Sequence, residues 1–162
     1  MRLCIQRVLE GSVSVDGQCV AAIGTGLVVL VGFGRGEEPA FAASAAFAGM
    51  ARKLAELRVF PGEGPYEHKM HCNVVEAGGS VLLVPQFTLY ADCRRGRRPD
   101  FAGAAAPDAA RELFAAFVQR VDGLMPGNVH SGIFGADMRV SLCNWGPVTL
   151  WLDSAELFPT PV

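Results

Sequence analysis

The stretch Ser80-Val81-Leu82-Leu83-Val84-Pro85-Gln86-Phe87-Thr88-Leu89-Tyr90 gives the clearest indication of the fold. It is largely apolar and of strand length, so we predict a buried strand over residues 80–90 that stops near Asp92. An upstream run rich in valine and leucine, Leu27 to Phe33, predicts a second buried strand. Neither run approaches the roughly 20 apolar residues of a membrane-spanning helix, so no membrane association is expected.

Strands are also predicted at both ends of the chain. Arg2 to Val15 alternates in places between apolar and polar residues and leads into an Asp16-Gly17 turn. Residues 19–23 would then return as its partner strand. Three further strands are predicted near the C-terminus, over residues 128–134, 138–143 and 148–153.

Two helices are predicted between these strands. Pro39 follows two glutamates that suit the positive end of a helix dipole, and it opens the first helix. This helix continues through apolar residues at helical spacing, namely Phe47, Met50, Leu54 and Leu57. The second helix covers Asp108 to Val121. The resulting order predicts an α+β fold, with two main helices on a mainly antiparallel sheet or barrel.

The composition suits a single folded domain over residues 1–162, because about half of the residues are apolar. The net charge is only −2, so any contact with nucleic acid must be local. The five cysteines are scattered and none forms a CxxC pair. With no signal peptide ahead of them, they predict reduced thiols in a cytoplasmic protein.

Two short patterns have a functional and a plain interpretation. Gly32-Phe33-Gly34-Arg35-Gly36 lies where a phosphate loop could stand, but Glu37 occupies the position of the third glycine, which favours a flexible turn. His68, His71 and Cys72 have ligand-like spacing without an evident fourth ligand. We therefore expect neither a cofactor nor a metal site.

Two other segments remain open between a plain and a functional interpretation. The cluster Arg94-Arg95-Gly96-Arg97-Arg98 suits contact with an RNA backbone, although a solvated loop explains it nearly as well. Asn144-Trp145-Gly146-Pro147 fits a tight turn, or a backbone wedge whose carbonyl groups point at a ligand.

Two motifs in register resemble the signatures of the D-aminoacyl-tRNA deacylase family. Gln86-Phe87-Thr88-Leu89 is similar to its Ser-Gln-Phe-Thr-Leu motif, and residues 144–149 are similar to its Asn-x-Gly-Pro-Val-Thr motif. Other matching segments stand in family order over nearly the whole chain, including Ile5-Gln6-Arg7-Val8, Gly96-Arg97-Arg98-Pro99 and Phe134-Gly135-Ala136-Asp137-Met138.

The resemblance implies a hydrolase that proofreads aminoacyl-tRNA and works as a homodimer with its active site at the interface. Gln86, Phe87 and Thr88 would line the pocket of one subunit. Gly146 and Pro147, joined by a cis bond, would enter from the other subunit and exclude L-amino acids, while admitting D-residues and glycine. Three more positions receive roles from the resemblance: Arg7 would orient this wedge, and Ala136 and Met138 would lie near the terminal adenosine.

Two positions depart from the family pattern, since Pro85 replaces serine and Trp145 replaces aspartate. A related animal deacylase, which removes L-alanine from a threonine tRNA, also has proline at the first position. It has alanine in place of Phe87 and a trans Gly-Pro bond, so the retained Phe87 and Arg7 favour the D-specific branch. The alternatives are a relaxed or L-alanine-directed deacylase, and a non-catalytic tRNA-binding module.

Thr88 is the only hydroxyl in the Gln-Phe-Thr-Leu motif and is the obvious candidate nucleophile. A threonine nucleophile needs an activating base, and the motif contains neither histidine nor carboxylate. We therefore favour activation of water with help from the substrate's 2′-hydroxyl. Backbone N–H groups around Phe87 and Thr88 would stabilise the oxyanion.

Overall fold

A computed structural model describes residues 1–159 of the chain. The main sheet has six strands, in the order β2-β1-β3-β6-β7, and β8 pairs with β1 on the side away from β3. Strands β4 and β5 form a separate two-stranded sheet. The strands are β1 (Arg2–Val15), β2 (Gln18–Ile23), β3 (Gly26–Gly32), β4 (Phe60–Pro61), β5 (Met70–Cys72), β6 (Ser80–Pro85), β7 (Val129–Ser131) and β8 (Arg139–Asp153).

The predicted α+β, barrel-like fold is confirmed, and the sheet is mixed. Strand β1 pairs antiparallel with β2, β3 and β8, whereas β6 runs parallel to both β3 and β7. Parallel neighbours need long crossover connections, and the two main helices lie in these connections. The sheet curls until β2 contacts β6 and β7, so that it nearly closes.

The first predicted helix is broken in two. A 3₁₀ helix, Pro39–Ala43, is followed by Ser44 in extended conformation, and α1 (Ala45–Glu56) starts there because the Ser44 hydroxyl accepts a hydrogen bond from the Phe47 N–H. Leu57 lies just beyond α1. Glu37 does not face a helix end, since its carboxylate accepts hydrogen bonds from Gly34 N–H and the Met1 amino group.

The second predicted helix is confirmed as α2 (Pro107–Asp122), and a short helix, α3 (Ser154–Leu157), follows β8. The main core lies between the helices and one face of the sheet, where Phe47 and Phe117 meet edge to face at 5.5 Å. A smaller core on the other face includes Val28 and Leu82. Strands β3 and β6 are therefore buried on both faces. None of the helices in residues 1–159 is long and apolar enough to cross a membrane.

The bounds predicted for four strands were wrong. The strand expected over residues 80–90 ends at Pro85, and Phe87–Tyr90 form a 3₁₀ helix. The strand expected over residues 128–134 is confined to β7. The strands expected over 138–143 and 148–153 form one strand, β8, whose pairing with β1 shifts register around Val8. These irregularities absorb the Gly-Pro segment without ending the strand.

Candidate active site

The Gln86-Phe87-Thr88-Leu89 segment leaves the sheet at the end of β6. The Gln86 N–H donates to the Val31 carbonyl at 2.7 Å, and the chain then turns into the 3₁₀ helix. The Gln86 side-chain amide donates to the Thr88 hydroxyl oxygen at 2.5 Å. The N–H groups of Phe87 and Thr88 come at the start of this helix, where backbone donors have no acceptor within the helix.

Two glycines, Gly32 at the end of β3 and Gly34 just after it, let this segment approach closely. A Cβ atom on Gly32 would lie 2.8 Å from the Gln86 carbonyl oxygen, and one on Gly34 would lie 2.7 Å from the Tyr90 ring. The turn favoured from the sequence is present at Arg35 and Gly36, while Gly32 and Gly34 leave room for the Gln86–Tyr90 segment.

A cavity of about 330 Å³ opens beside this turn. Four of the predicted site residues share its wall, namely Gln86, Phe87, Ala136 and Met138. The rest of the wall is largely apolar and comes from the ends of β3 and β6, the start of α2 and the segment before β8. Pro85, the residue that departs from the family pattern, also lines it.

The cavity wall contains little that could act as a general base. Among its lining residues, all within 1–159, Asp137 is the one ionisable side chain, and it is exposed to solvent. Thr88 is half-buried behind the wall and is not among the lining residues. The Gln86 side-chain amide is therefore held by the Thr88 hydroxyl through their hydrogen bond.

A second group of predicted residues meets elsewhere, on β1 and β8. Gly146 and Pro147 are exposed and their peptide bond is cis, as expected. The Arg7 Nε donates to the Trp145 carbonyl at 3.0 Å, and Arg7 Nη1 donates to the Val59 carbonyl. A Cβ atom on Gly146 would lie 2.8 Å from Arg7 Nη2, so the guanidinium packs directly against this glycine.

The Arg7 guanidinium lies in an unusual environment for a charge. Arg7 is 9% exposed, and burial lowers its pKa from the ordinary value. Within the described part of the chain it forms no salt bridge with a carboxylate. Its guanidinium carbon lies 4.5 Å from the centre of the Trp145 ring, which packs in turn against Phe60. Carbonyl groups and an aromatic face therefore replace a counter-ion.

One subunit does not bring the cavity and the Gly146-Pro147 segment together. Arg7 pairs with Leu27 on β3, whereas the cavity begins at Val31, roughly 13 Å further along that strand at about 3.3 Å per residue. The Gly-Pro segment also lies on β8, on the opposite side of β1 from β3. The two halves of the predicted site are separate surfaces of the same chain.

The arginine-rich loop projects from the far side of the Phe87–Tyr90 helix. Backbone hydrogen bonds between Asp92 and Asp100 close its base. Arg94 folds back onto the Asp92 carboxylate through two side-chain contacts of 2.8 and 2.6 Å. Hydrogen bonds from Arg94 lower the pKa of Asp92 to about 2. Arg95, Arg97 and Arg98 are exposed and form no salt bridge among residues 1–159.

The family model for D-Tyr-tRNA(Tyr) deacylase matches residues 4–153. The chain belongs to this family. It is 59% identical over 158 residues to a D-aminoacyl-tRNA deacylase of Desulfovibrio desulfuricans, which covers 98% of this chain and 99% of that protein. It is 57% identical over 159 residues to a D-aminoacyl-tRNA deacylase of Nitratidesulfovibrio vulgaris, with 98% and 96% covered.

Solved structures share the deacylase fold. One, described as a c-Myc DNA unwinding element binding protein, superimposes with a TM-score of 0.82 at 33% identity, covering 94% of this chain and 98% of that one. Another, described as a probable eukaryotic D-amino acid tRNA deacylase, gives a TM-score of 0.75 at 20% identity, with 93% and 97% covered. The second likeness shows the fold alone.

Several residues around the candidate site were not predicted. Gly32 and Gly34 belong to a run that was interpreted only as a turn, and their contact with the signature segment depends on the parallel pairing of β3 with β6. Phe101, whose ring packs on Phe87, was also missed, although an aromatic residue three positions after the arginine run was a visible indication. No group of three His, Cys, Asp or Glu side chains in residues 1–159 is arranged to hold a metal ion.

Proposed function

We propose that this deacylase hydrolyses the ester bond of D-aminoacyl-tRNA, releasing the free D-amino acid and tRNA. The observation that carries the proposal is the convergence of Gln86, Phe87, Ala136 and Met138 on one cavity beside open backbone N–H groups. The proposal covers one deacylase domain over residues 1–162 that needs no cofactor. Because its substrate is aminoacyl-tRNA, we place the enzyme in the cytoplasm.

The chemistry proposed for the cavity relies on the backbone and on the substrate. The N–H groups of Phe87 and Thr88 are free to stabilise the oxyanion that forms when water attacks the ester carbonyl. The ribose 2′-hydroxyl of the terminal adenosine assists the attacking water. The Thr88 hydroxyl fixes the Gln86 side chain through their hydrogen bond, and Thr88 acts as a positioning residue.

The proposed enzyme is a homodimer in which Gly146 and Pro147 of one subunit reach the cavity of the other. This arrangement is supported by the separation of the two surfaces within one chain and by the exposure of the Gly-Pro segment. The wedge rejects L-amino acids by contact with their side chains and admits D-amino acids and glycine. Comparable rates are expected for D-tyrosyl-tRNA and D-phenylalanyl-tRNA, because the wedge distinguishes the configuration of the amino acid and not the identity of its side chain.

An L-alanine-directed deacylase is the second candidate, and Pro85 on the cavity wall is the observation that favours it. Phe87 lines the same wall and is retained, which supports the D-specific enzyme. Paired assays on D-alanyl-, L-alanyl- and glycyl-tRNA distinguish the two enzymes. Rapid release of L-alanine would reject the D-specific proposal.

A substitution that fills the cavity distinguishes a hydrolytic enzyme from a non-catalytic tRNA-binding module. We expect Ala136→Phe to abolish hydrolysis of D-tyrosyl-tRNA, because the new ring occupies the cavity. The control is Ala115→Phe, at an exposed position outside the cavity wall, which should leave hydrolysis unchanged. Binding of uncharged tRNA through Arg95, Arg97 and Arg98 should survive in both variants. Binding without hydrolysis in the unaltered protein would support the module.

A further inference from the structure

Phe101 lies between the cavity and the arginine-rich loop. Its ring meets the ring of Phe87, which lines the cavity, edge to face at 5.1 Å. Its neighbours in sequence, Asp100 and Ala102, line a second and more open hollow of about 770 Å³ on the loop side. Phe101 therefore connects the cavity, where hydrolysis is proposed, with the arginine-rich loop.

Both rings of this pair are unusually exposed for phenylalanine. Phe87 is 56% exposed and Phe101 is 39% exposed, so together they form an apolar platform facing solvent. Neither ring belongs to the two core clusters of the described chain. The fold gains little from burying them, which makes contact with a ligand the better explanation for two adjacent aromatic side chains at the mouth of a cavity.

Exposed arginines lie near the platform, on the loop and on the wall of the second hollow, which also carries the Asp92 and Asp100 carboxylates. Arg35 is exposed on the wall of the second hollow. Its backbone N–H donates to the Gly103 carbonyl at 2.8 Å, which holds this residue next to the loop. Arg95, Arg97 and Arg98 extend the charge outward from the loop base. Arg94 adds little, because Asp92 neutralises it. The arrangement is a stacking surface flanked by free arginines in a chain whose net charge is −2.

Aromatic platforms beside a basic groove are how proteins bind single-stranded nucleic acid. We infer that Phe101, with the outer edge of Phe87, stacks against a base of the single-stranded 3′ end that precedes the terminal adenosine. The neighbouring arginines hold the phosphates of that segment. This inference rests on the proposed function, since it assumes that the cavity receives the terminal aminoacyl-adenosine. It adds a subsite for the nucleotides leading to the reacting one.

The test measures binding of a short single-stranded RNA that ends in CCA, together with hydrolysis of two substrates, D-tyrosyl-tRNA and the D-tyrosyl ester of adenosine. Phe101→Leu should weaken RNA binding by about 5- to 150-fold, the range of one lost stacking contact. It should lower kcat/KM for the tRNA substrate similarly and leave the adenosine ester unaffected. Phe101→Trp, which keeps a flat ring, should retain both binding and kcat/KM.

The matched control is Tyr66→Leu. Tyr66 is 43% exposed and stacks on His71 at 4.1 Å, away from both hollows, so its loss should change neither readout. Equal losses on both substrates would overturn the inference, because Phe101 would then only support Phe87. Unchanged RNA binding in Phe101→Leu would also overturn it. Phe101-dependent RNA binding in a protein that hydrolyses neither substrate would uphold this subsite and reject the proposed function.

Discussion

At the scale of single residues, the most informative feature is a buried arginine, Arg7, that has no carboxylate partner among residues 1–159. Burying a charge is costly, and the groups that compensate Arg7 are two carbonyls and the Trp145 ring. One of these carbonyls belongs to Trp145 itself, directly before Gly146. The same residue thus supplies both the hydrogen-bond acceptor and the aromatic face, and Arg7 fixes the backbone that presents Gly146 and Pro147.

We predict that Trp145→Leu reduces the preference for D- over L-tyrosyl-tRNA by roughly 2- to 30-fold. The lost cation–π contact is worth about 0.5–2 kcal/mol, and without it Arg7 is held less firmly against Gly146. The measurement compares kcat/KM for both substrates. Trp145→Phe is the control and should keep most of the preference. A drop in melting temperature with an unchanged preference would show that Trp145 serves stability alone.

A second prediction at this scale concerns Thr88. Thr88→Ala should lower kcat for D-tyrosyl-tRNA by no more than about tenfold, the value of one hydrogen bond to Gln86. A substrate that ends in 2′-deoxyadenosine should react about 10²- to 10⁴-fold more slowly with the unaltered enzyme, the typical contribution of a positioned acid or base. Near-complete loss of rate in Thr88→Ala, with an acyl-threonine trapped in the unaltered protein, would contradict this mechanism.

At the scale of secondary structure, local patterns located most elements but not their ends. β1 was predicted with its observed bounds because its alternation and the Asp16-Gly17 turn are local features. The run from Ser80 to Tyr90 is largely apolar, so periodicity could not show that the strand ends at Pro85. The turn there depends on Gly32 in a neighbouring strand, and that neighbour was not predictable from residues 80–90 alone.

The third prediction tests this dependence. Gly32→Ala should lower kcat/KM for D-tyrosyl-tRNA and cost about 1–3 kcal/mol of stability, because the new Cβ would displace the Gln86 carbonyl. Gly24→Ala is the control, since a Cβ there has no heavy atom within 4 Å. Activity assays and chemical denaturation measure the two effects. Equal activity and equal stability of the two variants would show that the signature segment tolerates an added methyl group at position 32.

At the scale of the whole molecule, the two signatures lie on different surfaces of one chain. The sequence placed both motifs correctly along the chain, and the resemblance assigned them to different subunits. Within one chain β1 separates the Gly-Pro segment from the cavity, which supports the proposal that the two motifs meet across a dimer interface. The parallel pairing of β6 with β3 and β7, which builds the cavity, depends on long crossovers and left no local pattern to detect.

Mixed dimers provide the fourth prediction. A wedge-altered variant such as Trp145→Leu should hydrolyse more L-tyrosyl-tRNA than the unaltered enzyme. Re-association with excess Ala136→Phe subunits, whose cavity is filled but whose wedge is intact, should suppress this L-hydrolysis and preserve D-hydrolysis. Suppression follows because each working cavity then receives an unaltered wedge. Persistent L-hydrolysis in the mixed dimers would mean that the Gly-Pro segment acts on its own subunit.

Chiral deacylation by this enzyme can be tested in one paired assay. Purified unaltered protein is incubated with D-tyrosyl-tRNA and L-tyrosyl-tRNA at equal concentrations, and release of tyrosine is followed against the spontaneous rate. We predict rapid release of D-tyrosine and release of L-tyrosine at the spontaneous rate. Release of L-tyrosine at a rate comparable to that of D-tyrosine, or release of D-tyrosine at only the spontaneous rate, would contradict D-specific deacylation.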